Sequence, residues 1–375
     1  MAILNLTGSG ISGGYKVYLQ NMLPLLASDP RVDAILCASP RAFGIKEWVA
    51  GHGKLKFVDC APSKFLNHRP DPNLLSALDV FSPDVIFVPV PKFVRFRDVP
   101  IVTMIQNMAP LTTWKWYGWK EKVRLAAQWV QTRIAVHRSA RVIAMSDFVR
   151  QFLLRSWEVA EDKVSLIYFG INPPSENTKR PSTIPPKWGD FILAAGSLEP
   201  YRGLEDIIQA AKTARLKHGR PLRVVIAGSS RRSVISYSER LKEKAEKLGV
   251  SGDLCWAGQL SEDEMAWCYR NCSLVLMTSR VESFAVVVLE AMAYACHCIA
   301  ANNPPFPEAF GNACEYYQPG DSAGLLNKIY EAESLDSAQK KQIRDTLRIR
   351  GQEFSWESTS RKTIEVFAEA AARHI

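Results

Sequence analysis

Leu274-Val-Leu-Met277-Thr-Ser-Arg-Val-Glu282-Ser-Phe-Ala-Val-Val-Val-Leu-Glu290-Ala-Met-Ala293 changes character part-way along. The apolar run Leu274–Met277 has the length and bounds of a buried strand. A polar turn follows, and a helix is expected from about Phe284. Glu282 then falls at the mouth of that helix, beside its unpaired N–H donors, and Glu290 about two turns inside it. At ~100° per residue the two carboxylates stand ~80° apart around the axis, so both can line one wall of a cleft. The apolar stretch between them makes Glu290 a carboxylate flanked by core, which is costly unless hydroxyl or N–H donors meet it. The plainer alternative is a capping role for Glu282 and a solvent-facing Glu290.

The same change from strand to turn to helix recurs on both sides, the pattern of an open parallel α/β sheet. In the same half, strands are expected at Phe191–Ala195, Leu222–Ile226 and Leu254–Trp256, with helices starting near Gly203, Ser233 and Ser261. In the first half, strands are expected at Ala2–Leu6, Ala34–Cys37, Lys56–Val58, Val85–Val88, Ile101–Ile105, Val142–Ala144 and Val164–Ile167. Helices are expected there at Tyr15–Leu26 and about Trp119–His137. Asn172-Pro-Pro opens a stretch rich in Pro, Ser and Lys that runs to Pro186, a linker composition. The tail from Ser337 reads as a helix, a break near Phe354-Ser355, and a last amphipathic helix. At 375 residues, 47% hydrophobic and 23% charged, the chain is globular and too long for one ordinary domain. The expected organisation is an α/β domain over 1–172, a linker over 173–187, a second α/β domain over 188–356, and a closing helix over 357–375. Two doubly wound domains facing across a cleft would take ligands at the carboxyl ends of their strands.

Two more strand-to-helix junctions invite an anion. Gly8-Ser-Gly-Ile-Ser-Gly13-Gly14 permits close backbone approach at a helix start. Its GxGxxG frame lacks an acidic residue at the ribose-binding distance, so it is no dinucleotide fingerprint; it is either a ligand-facing loop or a tight turn. In Gly196-Ser-Leu-Glu-Pro-Tyr-Arg202-Gly203, the fork of Arg202 stands just before a helix, where it can pair two phosphate oxygens. A solvated loop arginine is the alternative. The eight cysteines lack paired zinc-site spacing and read as reduced, mostly buried thiols.

Taken together, Glu282, Glu290, the EAMA sequence that begins at Glu290, and Gly196…Arg202-Gly203 resemble the signature of the retaining glycosyltransferases of family 4. Val164-Ser-Leu-Ile-Tyr-Phe-Gly170-Ile-Asn172, Ile143-Ala-Met-Ser146-Asp-Phe-Val, Pro307-Glu308 and Tyr316-Tyr-Gln-Pro-Gly-Asp321 resemble further segments of that family. The resemblance implies a GT-B fold, two Rossmann-like domains with the acceptor on the first and a nucleotide-sugar (UDP- or GDP-sugar) on the second. It implies that Glu290 accepts from ribose hydroxyls and that Glu282 contacts the donor sugar. Arg202 would neutralise the departing diphosphate with N–H groups of Ser283, Phe284 and Ala285, and Gly13 and Gly14 would let the first loop close over the donor. Gly258 would stand where the backbone meets the base, and the closing helix would cross back onto the first domain. It implies no metal or other cofactor, in keeping with the lack of an Asp-x-Asp element. Two departures stand out: Ser197 replaces an expected arginine, and Gln106 replaces a histidine near the donor sugar. Gln can hydrogen-bond but cannot carry a proton as His can. These departures keep open a catalytically weak homologue that binds nucleotide-sugar or glycan without turnover. Hydrolysis of glycosides by Glu282 and Glu290 is disfavoured, because a helix start opposes raising a carboxyl pKa for acid duty.

The charge is one-sided. Residues 1–180 hold 23 Lys and Arg against 14 Asp and Glu, which is the whole excess of +9. An anionic partner for the first half follows. Trp114-Lys-Trp116-Tyr-Gly-Trp119-Lys120-Glu-Lys-Val-Arg interleaves aromatics with cations, which suits an anionic membrane surface bearing a lipid-linked acceptor. The alternative packs these aromatics into the domain. No motif points to nucleic acid, no apolar run approaches the ~18 residues of a membrane span, and the N-terminus lacks a signal-peptide pattern. The expected location is the cytoplasm, with peripheral attachment to the inner face of the membrane.

Overall fold

The computed structural model describes residues 1–6, 13–40, 45–47, 49, 53–62, 71–92, 94–230, 235–284 and 286–372. They form two compact units. The first holds Met1–Trp114, Lys122–Gly170 and Phe354–Ile375, and the second holds Lys115–Glu121 and Ile171–Glu353.

The first unit is built on β1 (Ala2–Leu4), β2 (Ile35–Ser39), β3 (Leu55–Asp59), β4 (Ile86–Val88), β5 (Ile101–Ile105), β6 (Arg141–Ala144) and β7 (Val164–Leu166). They pair in parallel in the order β3-β2-β1-β4-β5-β6-β7. β1, β2, β4 and β6 are buried throughout, as strands covered on both faces must be. Helices α1 (Gly13–Ser28), α2 (Pro72–Phe81), α3 (Ala109–Thr112), α4 (Trp119–Arg138) and α5 (Asp147–Ser156) lie between them in sequence. Asp71 and Ser146 cap α2 and α5 by accepting from Asn73 and Val149 N–H groups.

The second unit is built on β8 (Ile192–Ala195), β9 (Val224–Ala227), β10 (Leu254–Gly258), β11 (Leu274–Met277), β12 (Cys298–Ala301) and β13 (Glu315–Tyr317). These also pair in parallel, in the order β10-β9-β8-β11-β12-β13. With them come α6 (Leu204–His218), α7 (Ile235–Lys247), α8 (Glu262–Asn271), α9 (Val286–Ala293), α10 (Phe306–Phe310), α11 (Ser322–Ser334) and α12 (Ser337–Gly351). The strand order reverses between β8 and β11, and ligands of open α/β sheets bind beyond such a reversal. The loops after β8 and β11 are Gly196–Arg202 and Thr278–Ser283, the two segments singled out from the sequence.

The last helix, α13 (Trp356–Ala372), packs on the first unit, against α1 and β5. The Trp356 ring lies 5.3 Å from Phe169 and 6.3 Å from Tyr18, and Phe87 meets Phe367 at 5.1 Å. Thr359 Oγ1 donates to the Tyr168 carbonyl at 2.7 Å. Residues 171–187 form no regular element yet are tied to the second unit: Lys179 N–H donates to Asp263 O and Cys255 Sγ to Thr183 O.

Three differences from the sequence reading have physical causes. The strands β12 and β13 and the helix α11 are not among the expected elements; β12 carries two helix-favouring alanines and β13 opens on a glutamate. Ser283 and Phe284, at the expected helix start, lie outside α9 (Val286–Ala293). Glu282 therefore lies in the loop before it, and helical spacing does not set its angle to Glu290.

Candidate functional site

Arg202 closes a short 3-10 turn, Pro200–Arg202, after β8. Its Nη1 donates to Glu282 Oε1 in a close ion pair and to Ser279 Oγ at 3.2 Å, while Nη2 reaches Ser197 Oγ at 3.4 Å. Both charged side chains are mostly buried. Burial alone works against the charge of Arg202, but Glu282, Tyr201 and Glu199 hold its pKa above the usual value. Gly196 has φ +133°, and a Cβ there would stand 3.3 Å from the guanidinium carbon. Arg202, Ser197, Ser279, Glu282, Val287 and Phe306 all line one narrow recess.

The two loops are fastened to each other. Thr278 Oγ1 donates to the Arg202 carbonyl at 2.6 Å, and Arg280 N–H donates to the Tyr201 carbonyl at 2.7 Å. Gly203, at φ +65°, lets them meet: a Cβ would come within 2.4 Å of the Thr278 oxygen. Behind them, Arg280 Nη2 contacts both carboxylate oxygens of Asp206 at 2.7 Å. Tyr317 Oη and Gly320 N–H complete the shell of Asp206. Tyr117 Oη donates to the buried Glu199 at 2.8 Å, under the first loop. Such bracing holds a buried ion pair in one geometry, where desolvation otherwise opposes it.

Glu290 is held differently. On α9 the residues Val288, Leu289, Ala291 and Met292 are buried, while Val287 and Glu290 share the half-buried face. Three residues apart, their side chains are neighbours on the helix surface, and Val287 lines the recess of Arg202. Tyr269 Oη on α8 donates to Glu290 Oε2 at 2.7 Å. Burial pushes the Glu290 pKa up, the Tyr269 bond opposes that rise, and Glu262 adds to it.

The remaining sequence candidates fall as follows. Ser283 and Phe284 are buried just before α9, and Ala285 lies outside the described residues. Gly258 ends β10 at φ +73°, its carbonyl accepting from Gly228 N–H at 2.7 Å. Gly13 and Gly14 open α1, and the rest of that loop, 7–12, lies outside the described residues. Gln106 follows β5 in the first unit, half-buried, with Nε2 at 3.5 Å from Met104 Sδ. Trp114 is half-buried with Nε1 bonded to the Pro110 carbonyl, and Trp116 is half-buried under Lys115. Trp119 is 72% exposed, with Lys120 Nζ 5.7 Å from its ring. All eight cysteines are free thiols, and burial raises Cys37 to about 12 and Cys60 to about 11. Among the described residues, no cluster of His, Cys, Asp and Glu has the makings of a metal site, and no helix is long and apolar enough to cross a membrane.

Sequence reasoning missed Ser279, Tyr269 and the Arg280–Asp206 pair. Asp206 and Arg280 are separated by 74 residues and Tyr269 and Glu290 by 21, on different elements, so no spacing rule connects them.

Two family models match the chain, one described as Glycosyltransferase Family 4 over residues 12–174 and one as glycosyl transferases group 1 over residues 175–348. D-inositol 3-phosphate glycosyltransferase of Streptomyces bingchenggensis is 27% identical over 261 residues, 65% of this chain and 56% of that protein. The mannosyltransferase WbdA of Escherichia coli is 24% identical over 246 residues, 61% of this chain and 29% of WbdA. The matched region thus spans little more than half of the first relative and less than a third of the second. Among solved structures, HepE of Anabaena in complex with UDP and glucose aligns with a TM-score of 0.72 and 19% identity, over 98% of this chain and 100% of that one. WaaG, a glycosyltransferase involved in lipopolysaccharide biosynthesis, aligns with a TM-score of 0.68 and 12% identity, over 98% and 99%. At these identities the solved structures speak for the fold alone. Since the two family models between them take in residues 12–348, the chain belongs to the family 4 glycosyltransferases and carries their GT-B fold.

Proposed function

We propose that this protein transfers a sugar, with retention of anomeric configuration and without a metal, from a UDP- or GDP-sugar to a glycan or lipid-linked acceptor. The observation that carries the reading is the Arg202–Glu282 pair, held by two fastened loops beyond the strand reversal of the second unit. A diphosphate entering the recess competes for the donors of Arg202, which pair well with phosphate oxygens. Glu282 is then released beside the donor sugar, where a carboxylate stabilises developing positive charge. Ser197 offers Arg202 an acceptor in place of a second cation, so charge neutralisation rests on Arg202 and the backbone. The relatives' names (an inositol-phosphate glycosyltransferase and a mannosyltransferase) and the UDP complex of HepE agree with a nucleotide-sugar donor.

The test incubates the protein with UDP- and GDP-hexoses and a panel of glycans and polyprenyl-linked sugars. Acceptor-dependent release of nucleoside diphosphate, unaffected by EDTA, with the donor's anomeric configuration kept in the product by NMR, is the expected result. An inverted product or loss of release in EDTA contradicts it. Binding without release selects the second reading, a weak homologue, which the Ser197 and Gln106 departures favour.

The acceptor is reached, in this reading, from the inner face of the membrane. The support is α4, where Trp119, Val123, Val130 and Ile134 are exposed. At ~100° per residue all four fall within ~60° of the helix circumference, and Lys120, Lys122, Arg133 and Arg138 flank them. An apolar stripe with basic flanks suits an anionic headgroup layer. The half-buried Trp114 and Trp116 contribute less to this face. Co-sedimentation with phosphatidylglycerol vesicles, lost in Trp119→Ala/Val123→Ser and weakened by salt, is expected. Equal binding by that variant contradicts the assignment.

A further inference from the structure

Glu290 has one oxygen taken and one open. Tyr269 Oη occupies Oε2, and no donor among the described residues bonds Oε1. The terminal torsion of a glutamate is broad, so an unbonded carboxylate would have to be ordered when a ligand arrives. Tyr269 is itself firmly placed. Its ring is buried and stacks on Tyr294 at 5.2 Å and 19°. Tyr294 Oη accepts from Ser175 N–H at 2.9 Å, Arg270 Nη2 donates to the Ser175 carbonyl at 2.7 Å, and the Arg270 guanidinium lies 5.5 Å from the Tyr294 ring.

We propose that Tyr269 is the positioning residue for the donor's ribose: its hydroxyl fixes the Glu290 carboxylate so that the open oxygen meets the ribose diol. The inference rests on the reading above in which Glu290 accepts from ribose hydroxyls. A carboxylate present only to satisfy the Tyr269 phenol is a poor explanation, because a neutral acceptor would do so without burying a charge. Glu290 stands three residues along α9 from Val287, which lines the Arg202 recess, so the two side chains are neighbours on the helix surface.

The experiment measures dissociation constants of UDP and GDP and of their 2′-deoxy and 3′-deoxy counterparts by calorimetry. It compares wild type, Tyr269→Phe, Tyr294→Phe and Glu290→Gln. Tyr269→Phe keeps the ring stack and removes only the hydroxyl. Tyr294→Phe also keeps the stack, removes the hydroxyl that accepts from Ser175 N–H and leaves the Glu290 bond in place, so it reports a merely structural effect. Wild type and Tyr294→Phe are expected to prefer the ribo form of one base by ~10-fold or more, because a site built to bond a hydroxyl rejects the analogue lacking it. In Tyr269→Phe and Glu290→Gln that preference is expected to collapse, with affinity for the deoxy forms little changed. If Tyr269→Phe keeps the wild-type preference while Glu290→Gln loses it, Tyr269 does not position the carboxylate and the proposal falls alone. If Glu290→Gln keeps the preference, or wild type has none, the ribose reading falls and takes this proposal with it. An equal loss in Tyr294→Phe assigns the effect to packing and also overturns the proposal.

Discussion

The two carboxylates eight residues apart are held by opposite means. Glu282 sits in a loop as one half of an ion pair with Arg202, whereas Glu290 sits on a helix and receives one neutral hydroxyl. An ion pair fixes position through charge and can be exchanged for another anion. A hydroxyl fixes orientation, and its bond only partly opposes the burial that makes the carboxyl harder to ionise. The first arrangement suits a group that changes partner when a diphosphate arrives, the second a group that must already face the right way.

Breaking the ion pair is the largest expected effect. Arg202→Ala leaves Glu282 mostly buried without its cation, which costs ~3 kcal/mol of stability, and it lowers transfer by ~100-fold or more. Chemical denaturation and initial rates read the two losses. The double substitution with Glu282→Ala should be more stable than the sum of the single losses, since the stranded charge is gone. Additive losses would mean the pair is not coupled.

Next comes the fastening between the loops. Gly203→Ala places a Cβ against the Thr278 carbonyl at a left-handed φ, a strain of ~1–3 kcal/mol. It should lower donor affinity together with stability, because both loops must shift. A stable variant with lost affinity would show that the loops are positioned some other way.

The hydroxyl-held carboxylate gives a smaller, pH-dependent effect. The native pKa of Glu290 is raised above its ordinary value of 4.5 by burial. The native state therefore binds this proton more tightly than the unfolded state, and ionisation costs stability as pH rises from about 4.5 through the native pKa. Glu290→Gln should stabilise the ligand-free protein more at pH 8 than at pH 4.5, where the raised pKa keeps more of the native carboxyl protonated. A gain independent of pH would contradict the burial argument. The smallest effect belongs to the exposed face of α4. Trp119→Ala should change stability by less than ~0.5 kcal/mol, so any vesicle-binding defect there is a surface effect.

The same contrast explains what was legible in the sequence. Glu282 and Arg202 could be singled out because each stands at a strand-to-helix junction, and junction positions are visible in one dimension. Their mutual pairing was not visible, since it depends on β8 and β11 lying side by side in the sheet. The burial of Glu290 could be anticipated from its apolar neighbours, but its partner Tyr269 comes from another helix. The helical phase relation between the two carboxylates failed because Glu282 and Ser283 stay in the loop. Ile101–Ile105 and Leu274–Met277 appear as read, being apolar runs with clear polar bounds. In Cys298-Ile-Ala-Ala the two alanines weaken the strand signal, and Glu315-Tyr-Tyr opens on a charge. The helix α11 did carry a signal, the cap in which Asp321 accepts from Gly324 N–H.

A calorimetric titration measures the exchange of Glu282 for a diphosphate on Arg202. Wild type, Arg202→Ala and Glu282→Gln are each titrated with UDP and uridine, and with GDP and guanosine. Wild type is expected to prefer the diphosphate strongly over its nucleoside, Arg202→Ala to lose most of that preference, and Glu282→Gln to strengthen it by removing the competing carboxylate. A diphosphate preference unchanged in both variants would rule out the exchange and place the phosphates elsewhere.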